Sequence, residues 1–554
     1  MHASPAWSGP VGLPARERRL RWAAGIVVCL VAALLVLPPA GRQVLTSSDE
    51  TRFVLLARDM LERGVWFDAS VRDRQYRNKP PLYPWSIAAI ARIRGSVDEF
   101  AAALPVALAA IGTVLATFLL GDRMFGWRAG AAAALVLTTT YAVFQHTLEL
   151  LPDMLVVAFA TLAGWAFWSA MVTPRGRGWM IVFYLALAFA VFSKGPMGLL
   201  PLAVAIAWLL ASEGVAGLRR LWSPAGILGF ALITAGWLAP FMMLGADSFG
   251  ERVLWNNWLD WYLGMPGLRR FDTLVDLALG LTPWVIVVPL AFAQAWRSRS
   301  DPAVRFALLS TVVPLVLVLI GENIRRRYLL PVYPGAALVL AWWALAAARG
   351  VRAGARLTAW VALAAGLTAA AGVAWLGRDP DAFLPALSWA AAPLYVAVVL
   401  LGLCVFHALR TDQRRLLVGG VSLLTLVALG YGVWPYIHWV NSTQDFPGLA
   451  SRVEQHARGG PVAVYGGRFF QLDFYLGRDL VRLRSVPEVQ RYVARPDTPL
   501  VVVDGRAWRE LQGQLPSTVE VVTTMHVRSW DMRLLRGGPP ALAASEGAPA
   551  TGRP

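Results

Sequence analysis

The sequence predicts a polytopic α-helical membrane protein of about thirteen transmembrane helices with a small C-terminal α/β domain. Three observations carry this. First, 57% of the 554 residues are hydrophobic, 15% are charged and mean hydropathy is +0.53, far from the composition of a soluble domain. Second, apolar runs of about 17–25 residues, each long enough to cross roughly 30 Å of hydrocarbon, recur along most of the chain. Third, after about Asn441 the composition turns polar and apolar residues come in strand-length runs. The net charge of +17 raises nucleic acid as a partner, but most arginines fall in short clusters between apolar runs rather than on one face. No nucleic-acid partner is expected. Cys29 and Cys404 both sit inside apolar runs, which leaves neither a disulfide framework nor a metal-binding cysteine set.

Residues 1–22 read as a tail on the cytoplasmic side, and residues 23–440 as the membrane domain. Its runs begin near Ala23, Phe100, Ala129, Met154, Trp179, Met197, Ala225, Leu274, Phe306, Leu329, Leu357, Phe383 and Leu416. The first exceeds the core of a signal peptide and is expected to be retained. Arginine clusters mark every second connection: Arg16 to Arg21, Arg123 and Arg128, Arg175 and Arg177, Arg219 and Arg220, Arg297 to Arg305, Arg349 to Arg356, and Arg410 to Arg415. By the positive-inside rule these face the cytoplasm, so the alternate connections and the C-terminal part face outward. Arg325-Arg326-Arg327-Tyr328 breaks the rule. Cations on the outward side call for a local balance, either a bound phosphate or anionic lipid headgroups.

The first outward loop, residues 41–98, carries its own helices. Phe53, Leu56, Ala57, Met60 and Leu61 follow i, i+3, i+4, i+7, i+8 spacing with charged residues on the other faces, which predicts a helix on the membrane surface. Gly64 ends it, and a second apolar patch, Leu82 to Ile90, follows Pro80-Pro81. Asp49 is expected to sit before the first helix and Lys79 before the second. An aspartate there can serve as an N-cap, with Glu50 favoured by the helix dipole. The lysines are more telling: among 51 basic residues only Lys79 and Lys194 are lysine. A compact ammonium meets a phosphate as a point charge, where arginine offers a planar fork.

Asp153, after Leu151-Pro152 and near Glu149, either caps the fourth span or joins a polar site. Lys194, at an outward turn, either snorkels to the interface or touches substrate. His146 reads as a structural histidine. Trp255, Trp258 and Trp261 suggest an interfacial helix between Asp247 and Asp272, a lid or an aromatic anchor. Residues 441–536 form the α/β domain, with strands such as Val462–Tyr465 and Leu500–Val503 and helices near Gln471 and Val486. Gly466-Gly467 lacks the spacing of a nucleotide fingerprint. Residues 537–554, rich in Gly, Pro, Ala and Ser, are expected to be disordered.

Several motifs together resemble one family. Asp49-Glu50-Thr51-Arg52-Phe53, Arg58-Asp59-Met60, Gly64-Val65-Trp66 and Asn78-Lys79-Pro80-Pro81-Leu82 are similar to the first periplasmic loop of the bacterial aminoarabinose transferase and protein O-mannosyltransferase-like superfamily. Leu151-Pro152-Asp153-Met154, Ser193-Lys194-Gly195-Pro196 and Arg327-Tyr328-Leu329-Leu330-Pro331-Val332-Tyr333-Pro334 extend the likeness, which covers roughly Thr46 to Pro334. The resemblance implies a GT-C fold in a bacterial inner membrane, with the C-terminal domain periplasmic, and transfer of a sugar from a polyprenyl-phosphate donor. It implies Asp49 as the catalytic carboxylate, Lys79 and Tyr328 as holders of the donor phosphate, and Arg52, Asp153 and Lys194 as lining of the same cavity. Arg326 and Arg327 join Lys79 as cations for the phosphate.

Asn78 departs from the family, whose aminoarabinose transferases carry there a Glu that helps hold a metal. A divalent metal and the aminoarabinose substrate are therefore both left open. The expected acceptor is lipid A or another envelope glycolipid, with protein hydroxyls behind it. The alternative activity is a polyprenyl-linked lipid flippase or transporter. A secondary transporter is expected to show duplicated halves with interrupted helices, and the sequence shows no such duplication.

Overall fold

The computed structural model describes residues 14–71, 74–75, 79–174, 176–244, 270–321, 324–345, 392–411, 413–467, 469–497, 499–528 and 530–538. Asn78, the Trp255 to Trp261 segment, the starts of the runs expected near Leu357 and Phe383, and the tail beyond residue 538 lie outside them. The chain divides into two compact units. One comprises Met1–Gln43, Leu56–Ser70 and Gln75–Ile437, and the other Val44–Leu55, Val71–Arg74 and His438–Pro554.

The first unit is helical: α1 (Ala15–Val36), α2 (Ser48–Arg63, which runs on from the other unit), α3 (Leu82–Arg94), α4 (Glu99–Phe125), α5 (Trp127–Thr138), α6 (Tyr141–Gln145), α7 (Asp153–Val172), α8 (Arg177–Lys194), α9 (Leu200–Glu213), α10 (Pro224–Leu244), α11 (Arg270–Gly280), α12 (Val288–Arg297), α13 (Pro302–Ile320), α14 (Val332–Leu345), α15 (Ala392–Arg410) and α16 (Arg414–Thr443). Among the described residues eight helices are long and apolar enough to cross a membrane. This is a multi-pass membrane protein. Local chemistry sets the helix ends. Asp98 caps α4 by accepting from the Ala101 N–H at 2.8 Å, and Asp301 caps α13 ahead of Pro302 at its first position.

Two expected spans are shorter than a full crossing, each for a readable reason. The run from Ala129 stops as α5 at Thr138, where the hydroxyls of Thr138, Thr139 and Thr140 bond back to the carbonyls of Ala134, Leu135 and Val136 at 2.8, 2.7 and 2.8 Å. Such back-bonding offers the chain an alternative to continuing the helix. The run from Leu274 is split into α11 and α12 around Pro283, which has no N–H to give a helix. The Thr282 carbonyl there accepts from the Tyr141 N–H at 2.9 Å, which ties the break to α6.

Helices α4, α5, α7, α8, α9, α13 and α14 pack on one another. At one level the core is aromatic: Phe167 stacks on Phe306 at 5.7 Å and Trp168 meets Trp208 edge-on at 5.6 Å. Trp208 donates its indole N–H to the Pro302 carbonyl at 2.9 Å, which satisfies the polar end of an otherwise apolar buried side chain.

The second unit is built on a five-stranded sheet of β1 (Val462–Tyr465), β2 (Val481–Leu483), β3 (Leu500–Val503), β4 (Glu520–Val527) and β5 (Trp530–Arg536), in the order β2-β1-β3-β5-β4. β1 pairs parallel with β2 and β3, while β5 runs antiparallel to β3 and β4. Every residue of β1 and β3 is buried because apolar clusters cover both faces of the sheet. One holds Phe446, Leu472 and Leu534, the other Val489, Tyr492 and Leu511. Continuous apolar strands are the pattern that two-sided burial demands.

Candidate active site

The end of α8 is shaped by the run Ser193-Lys194-Gly195-Pro196-Met197-Gly198. Gly195, at φ 81°, breaks the helix in a conformation that glycine adopts without strain, and Pro196 opens a short 3-10 helix, Pro196–Leu199. Gly198 packs so tightly on the last turn of α8 that a Cβ there would lie 2.2 Å from the Val191 nitrogen. This tight return leaves Lys194 as the last residue of α8 with its side chain 7% exposed. Asp153 opens α7 at the positive end of the helix dipole, is 6% exposed, and accepts from the Lys194 ammonium.

Cations from two further segments converge on this pair. Arg327 and Tyr328 belong to the 3-10 helix Arg326–Leu329. The Arg327 Nε lies 3.8 Å from the second Asp153 oxygen. The Tyr328 ring presents its face to the Lys194 Nζ, 4.2 Å from the centroid, close enough for a cation–π attraction. Lys79, half-buried before Pro80-Pro81, is near enough for its charge and that of Arg327 to oppose Lys194, while Asp153 attracts it. The structure thus brings together Lys79, Asp153, Lys194, Arg327 and Tyr328. An aromatic wall adjoins: Phe192, two residues before Lys194, meets Trp85 at 5.4 Å and stacks on Trp237 at 5.6 Å, with Leu82, three residues after Lys79, in the same cluster.

Arg326 goes elsewhere. Its Nε pairs with the Asp276 carboxylate of α11 at 2.8 Å, so consecutive arginines of one short helix serve different acids. Asp276, lodged in an otherwise apolar run, is not singled out by sequence. His146 is buried with its Nδ1 2.7 Å from the Ala142 carbonyl and its Nε2 3.7 Å from Glu149, the contacts of a structural histidine.

Asp49 and Arg52 lie in the second unit. Helix α2 starts with a capping box: the Ser47 hydroxyl accepts from the Glu50 N–H at 3.2 Å, and the Glu50 carboxylate accepts from the Ser47 N–H at 2.9 Å. Glu50 also takes the N–H and hydroxyl of Thr46, at 3.0 and 2.8 Å. Capping is therefore done by Ser47 and Glu50, and Asp49 sits inside the first turn instead of before it. The Asp49 carboxylate is 37% exposed and accepts from Arg52 at 3.2 Å. The segment is gripped by the C-terminal part of the chain. Leu45 donates its N–H to the Tyr475 hydroxyl at 2.9 Å, Val44 donates to Asn441 at 3.0 Å, and Arg52 lies over the Phe470 ring at 5.6 Å. Tyr475 and Phe470 carry no sequence signal beyond an amphipathic helix.

Among the described residues no three or more His, Cys, Asp or Glu side chains group as a site that could hold a metal ion.

Residues 78–239 match a family model described as dolichyl-phosphate-mannose-protein mannosyltransferase. The undecaprenyl phosphate-alpha-4-amino-4-deoxy-L-arabinose arabinosyl transferase of Pectobacterium carotovorum is 27% identical over 371 residues, covering 63% of this chain and 64% of the relative. The enzyme of the same name from Erwinia tasmaniensis is 26% identical over 326 residues, covering 57% and 58%. The match thus spans less than two thirds of these relatives' length. Among solved structures, ArnT from Cupriavidus metallidurans bound to undecaprenyl phosphate aligns with a TM-score of 0.75 at 19% identity, over 95% of this chain and 100% of that one. The oligosaccharyltransferase of Archaeoglobus fulgidus aligns at 0.52 and 11% identity, over 88% and 70%. At such identities the structural likeness speaks for the fold. The chain thus shares the fold of ArnT, and over part of its length it is similar to the aminoarabinose arabinosyl transferases and to the dolichyl-phosphate-mannose-protein mannosyltransferase family.

Proposed function

We propose that this chain transfers a sugar from a polyprenyl-phosphate carrier to an envelope glycolipid of the lipid A type, on the periplasmic face of a bacterial inner membrane. The observation that carries the reading is the buried Lys194, held between Asp153, Arg327 and the Tyr328 ring at a helix end, with Lys79 beside it. Taking an ammonium out of water is costly. A protein keeps such a group where an anion has to be recognised, and a lipid phosphate is the anion available at a membrane face. The relatives named as undecaprenyl-phosphate aminoarabinose transferases, and the fold-mate solved with undecaprenyl phosphate, support the same donor class.

In the proposed reaction an acceptor oxygen attacks the anomeric carbon while the bond from that carbon to the phosphate oxygen breaks. The electron pair leaves with the polyprenyl phosphate, and the anomeric centre inverts. Lys79, Lys194, Arg327 and the Tyr328 hydroxyl stabilise the charge gathering on the departing phosphate, where such contacts are worth most. Asp49 takes the proton when the acceptor is a hydroxyl, and orients the acceptor when it is an already ionised phosphate.

The test is to incubate the purified protein with radiolabelled undecaprenyl-phosphate sugars and lipid A. Label appearing on lipid A supports the reading. Displacement of donor across vesicles without transfer overturns it in favour of a flippase. Asp49→Asn abolishes transfer and leaves the fold intact, because the capping box of α2 is made by Ser47 and Glu50; wild-type turnover by this variant removes Asp49 from the mechanism.

A further inference from the structure

Beside the Arg326–Asp276 pair lies a second cavity, of about 380 Å³, bounded by α6, α11 and α14 and lined by Tyr141, Gln145, His146, Asp276, Arg326 and Tyr333 among others. A further cavity of about 470 Å³ shares Asp276, Leu279 and Arg326 with it and adds Asp272 and Thr273. The wall of the first is closely packed at Gly280, where a Cβ would lie 2.2 Å from the Tyr333 hydroxyl and 3.0 Å from the Ala142 Cβ, so the absent side chain is what lets Tyr333 take its place in the lining. None of these residues is used in the reaction described above.

The chemistry of this lining points away from both ends of a lipid carrier. A phosphate is disfavoured, because Arg326 is already matched by Asp276 at 2.8 Å and the Tyr141 hydroxyl feels the negative charge of Glu149 as well as the positive charge of Arg326. Apolar groups such as Ala142 and Leu279 also line the wall, but an isoprenoid would leave the carboxylate, guanidinium and amide set among them without polar partners. What does fit is a ligand of adjacent hydroxyl groups on a compact ring. Planar carboxylate, guanidinium and amide groups each offer two hydrogen-bonding positions in a fixed fork, and the Tyr141 phenol adds an apolar face with a polar tip. The volume is within the range of about 300–1,000 Å³ typical of small-ligand pockets. Position supports the same choice. Arg326 follows directly on Arg325 and precedes Arg327 and Tyr328 in one short 3-10 helix, so the cavity adjoins the proposed phosphate site.

We propose that the Asp276–Arg326 cavity is a saccharide-ring subsite, in which Asp276 and Gln145 accept and donate to the vicinal hydroxyls of a sugar carried by one of the two lipid substrates. The proposal rests on the transferase reading, but its test does not need turnover. Full-length protein in lipid nanodiscs is titrated with undecaprenyl phosphate, which has no sugar, with undecaprenyl-phosphate aminoarabinose, and with lipid A. Asp276→Asn weakens binding of at least one sugar-bearing lipid by about tenfold or more and leaves undecaprenyl phosphate within about twofold, as loss of charge-assisted hydrogen bonds to sugar alone requires. Gln145→Ala gives the same pattern with a smaller loss, and decides the matter by the same criteria where Asp276→Asn does not fold. A loss confined to the donor lipid assigns the ring to the donor, and one confined to lipid A assigns it to the acceptor. Equal weakening of all three lipids, or of none, overturns the subsite. Absence of transfer by the wild-type protein overturns the transferase reading instead, and leaves this binding pattern to be judged by itself.

Discussion

Removing the Asp153 carboxylate is the sharpest probe of the cation cluster. In Asp153→Asn, the buried Lys194 and the half-buried Arg327 keep their positions and lose the anion between them. The Arg327–Asp153 separation of 3.8 Å corresponds to an attraction of about 4 kcal/mol at an effective dielectric constant of roughly 20. The Lys194 contact is shorter and therefore stronger. Desolvation offsets much of this in the intact pair, but stranding one partner does not recover it, so the net cost is about 3–5 kcal/mol. Lys194→Met alone costs less, because Asp153 still has Arg327. The double variant Asp153→Asn/Lys194→Met removes both charges and regains stability, giving a coupling of about 2–3 kcal/mol in the double-mutant cycle.

The assay is unfolding of the four proteins in nanodiscs or mixed micelles, with and without undecaprenyl phosphate. At a ligand concentration near a hundred times Kd, binding to the folded state stabilises by about 2.7 kcal/mol. At the same undecaprenyl phosphate concentration Asp153→Asn gains more than the wild type, because the phosphate supplies the missing negative charge and binds with a lower Kd. The double variant is stable and inactive. A cycle in which the two substitutions simply add, or an Asp153→Asn protein that melts with the wild type, refutes the claim that one buried electrostatic unit holds the site.

Tyr475→Phe leaves the N–H of the fully buried Leu45 without its acceptor, at a cost of about 1–3 kcal/mol. Because this bond anchors the segment carrying Asp49, steady-state kinetics are expected to show a lower kcat at unchanged KM for donor. Asp98, the cap of α4, is pushed up by partial burial, but the Ala101 N–H, Arg94 and Ser96 outweigh this and hold its carboxyl below the ordinary value of 3.8. Its contribution is therefore complete above the unfolded value and is lost as pH falls through the depressed folded one. Wild type and Asp98→Ala should differ by about 1 kcal/mol near neutrality and converge below about pH 4, read from melting between pH 3 and 7. Gly198→Ala drives a Cβ into the α8 backbone; overpacking of about 1–3 kcal/mol is expected, with weaker undecaprenyl phosphate binding as Lys194 shifts.

The parts of this molecule that were legible in the sequence are those where one requirement dominates the choice of residue. Length and apolarity alone mark α1, α4, α7, α8, α10 and α13. Burial on both faces makes Val462–Tyr465 and Leu500–Val503 continuous apolar runs. Where two requirements compete, the signal blurs. The Ala129 run is apolar enough to span, yet three successive threonines bond back and stop it at Thr138. The run from Leu274 is interrupted at Pro283, and hydropathy averaged over a window does not see a single proline. Asp276 was hidden for the same reason, as one acid in an apolar stretch whose partner lies 50 positions further on. The role of Asp49 turned on a hydrogen bond that spacing alone leaves ambiguous. Ser47 and Asp49 both precede the apolar face of α2, and only the reciprocal Ser47–Glu50 bonds separate the cap from its neighbour.

Residue scarcity and the local motifs both single out Lys79 and Lys194, and the structure supplies a physical reason for a lysine at position 194. A chain that fills almost every basic position with arginine retains lysine at positions 79 and 194, and these two come close enough to repel one another. At position 194 the tip of the side chain is enclosed by the Asp153 carboxylate, the face of Tyr328 and the approach of Arg327. A guanidinium there would bring five fixed donors and a larger plane into a space set by the tight Gly195–Gly198 return, and every donor left without an acceptor in such a place costs free energy. An ammonium is rotatable, smaller and content with a carboxylate on one side and a ring on another. The compositional bias that favours arginine at the ends of the spans therefore yields at position 194, where arginine's geometry is a liability, and Lys79 lies close enough to share its electrostatic surroundings.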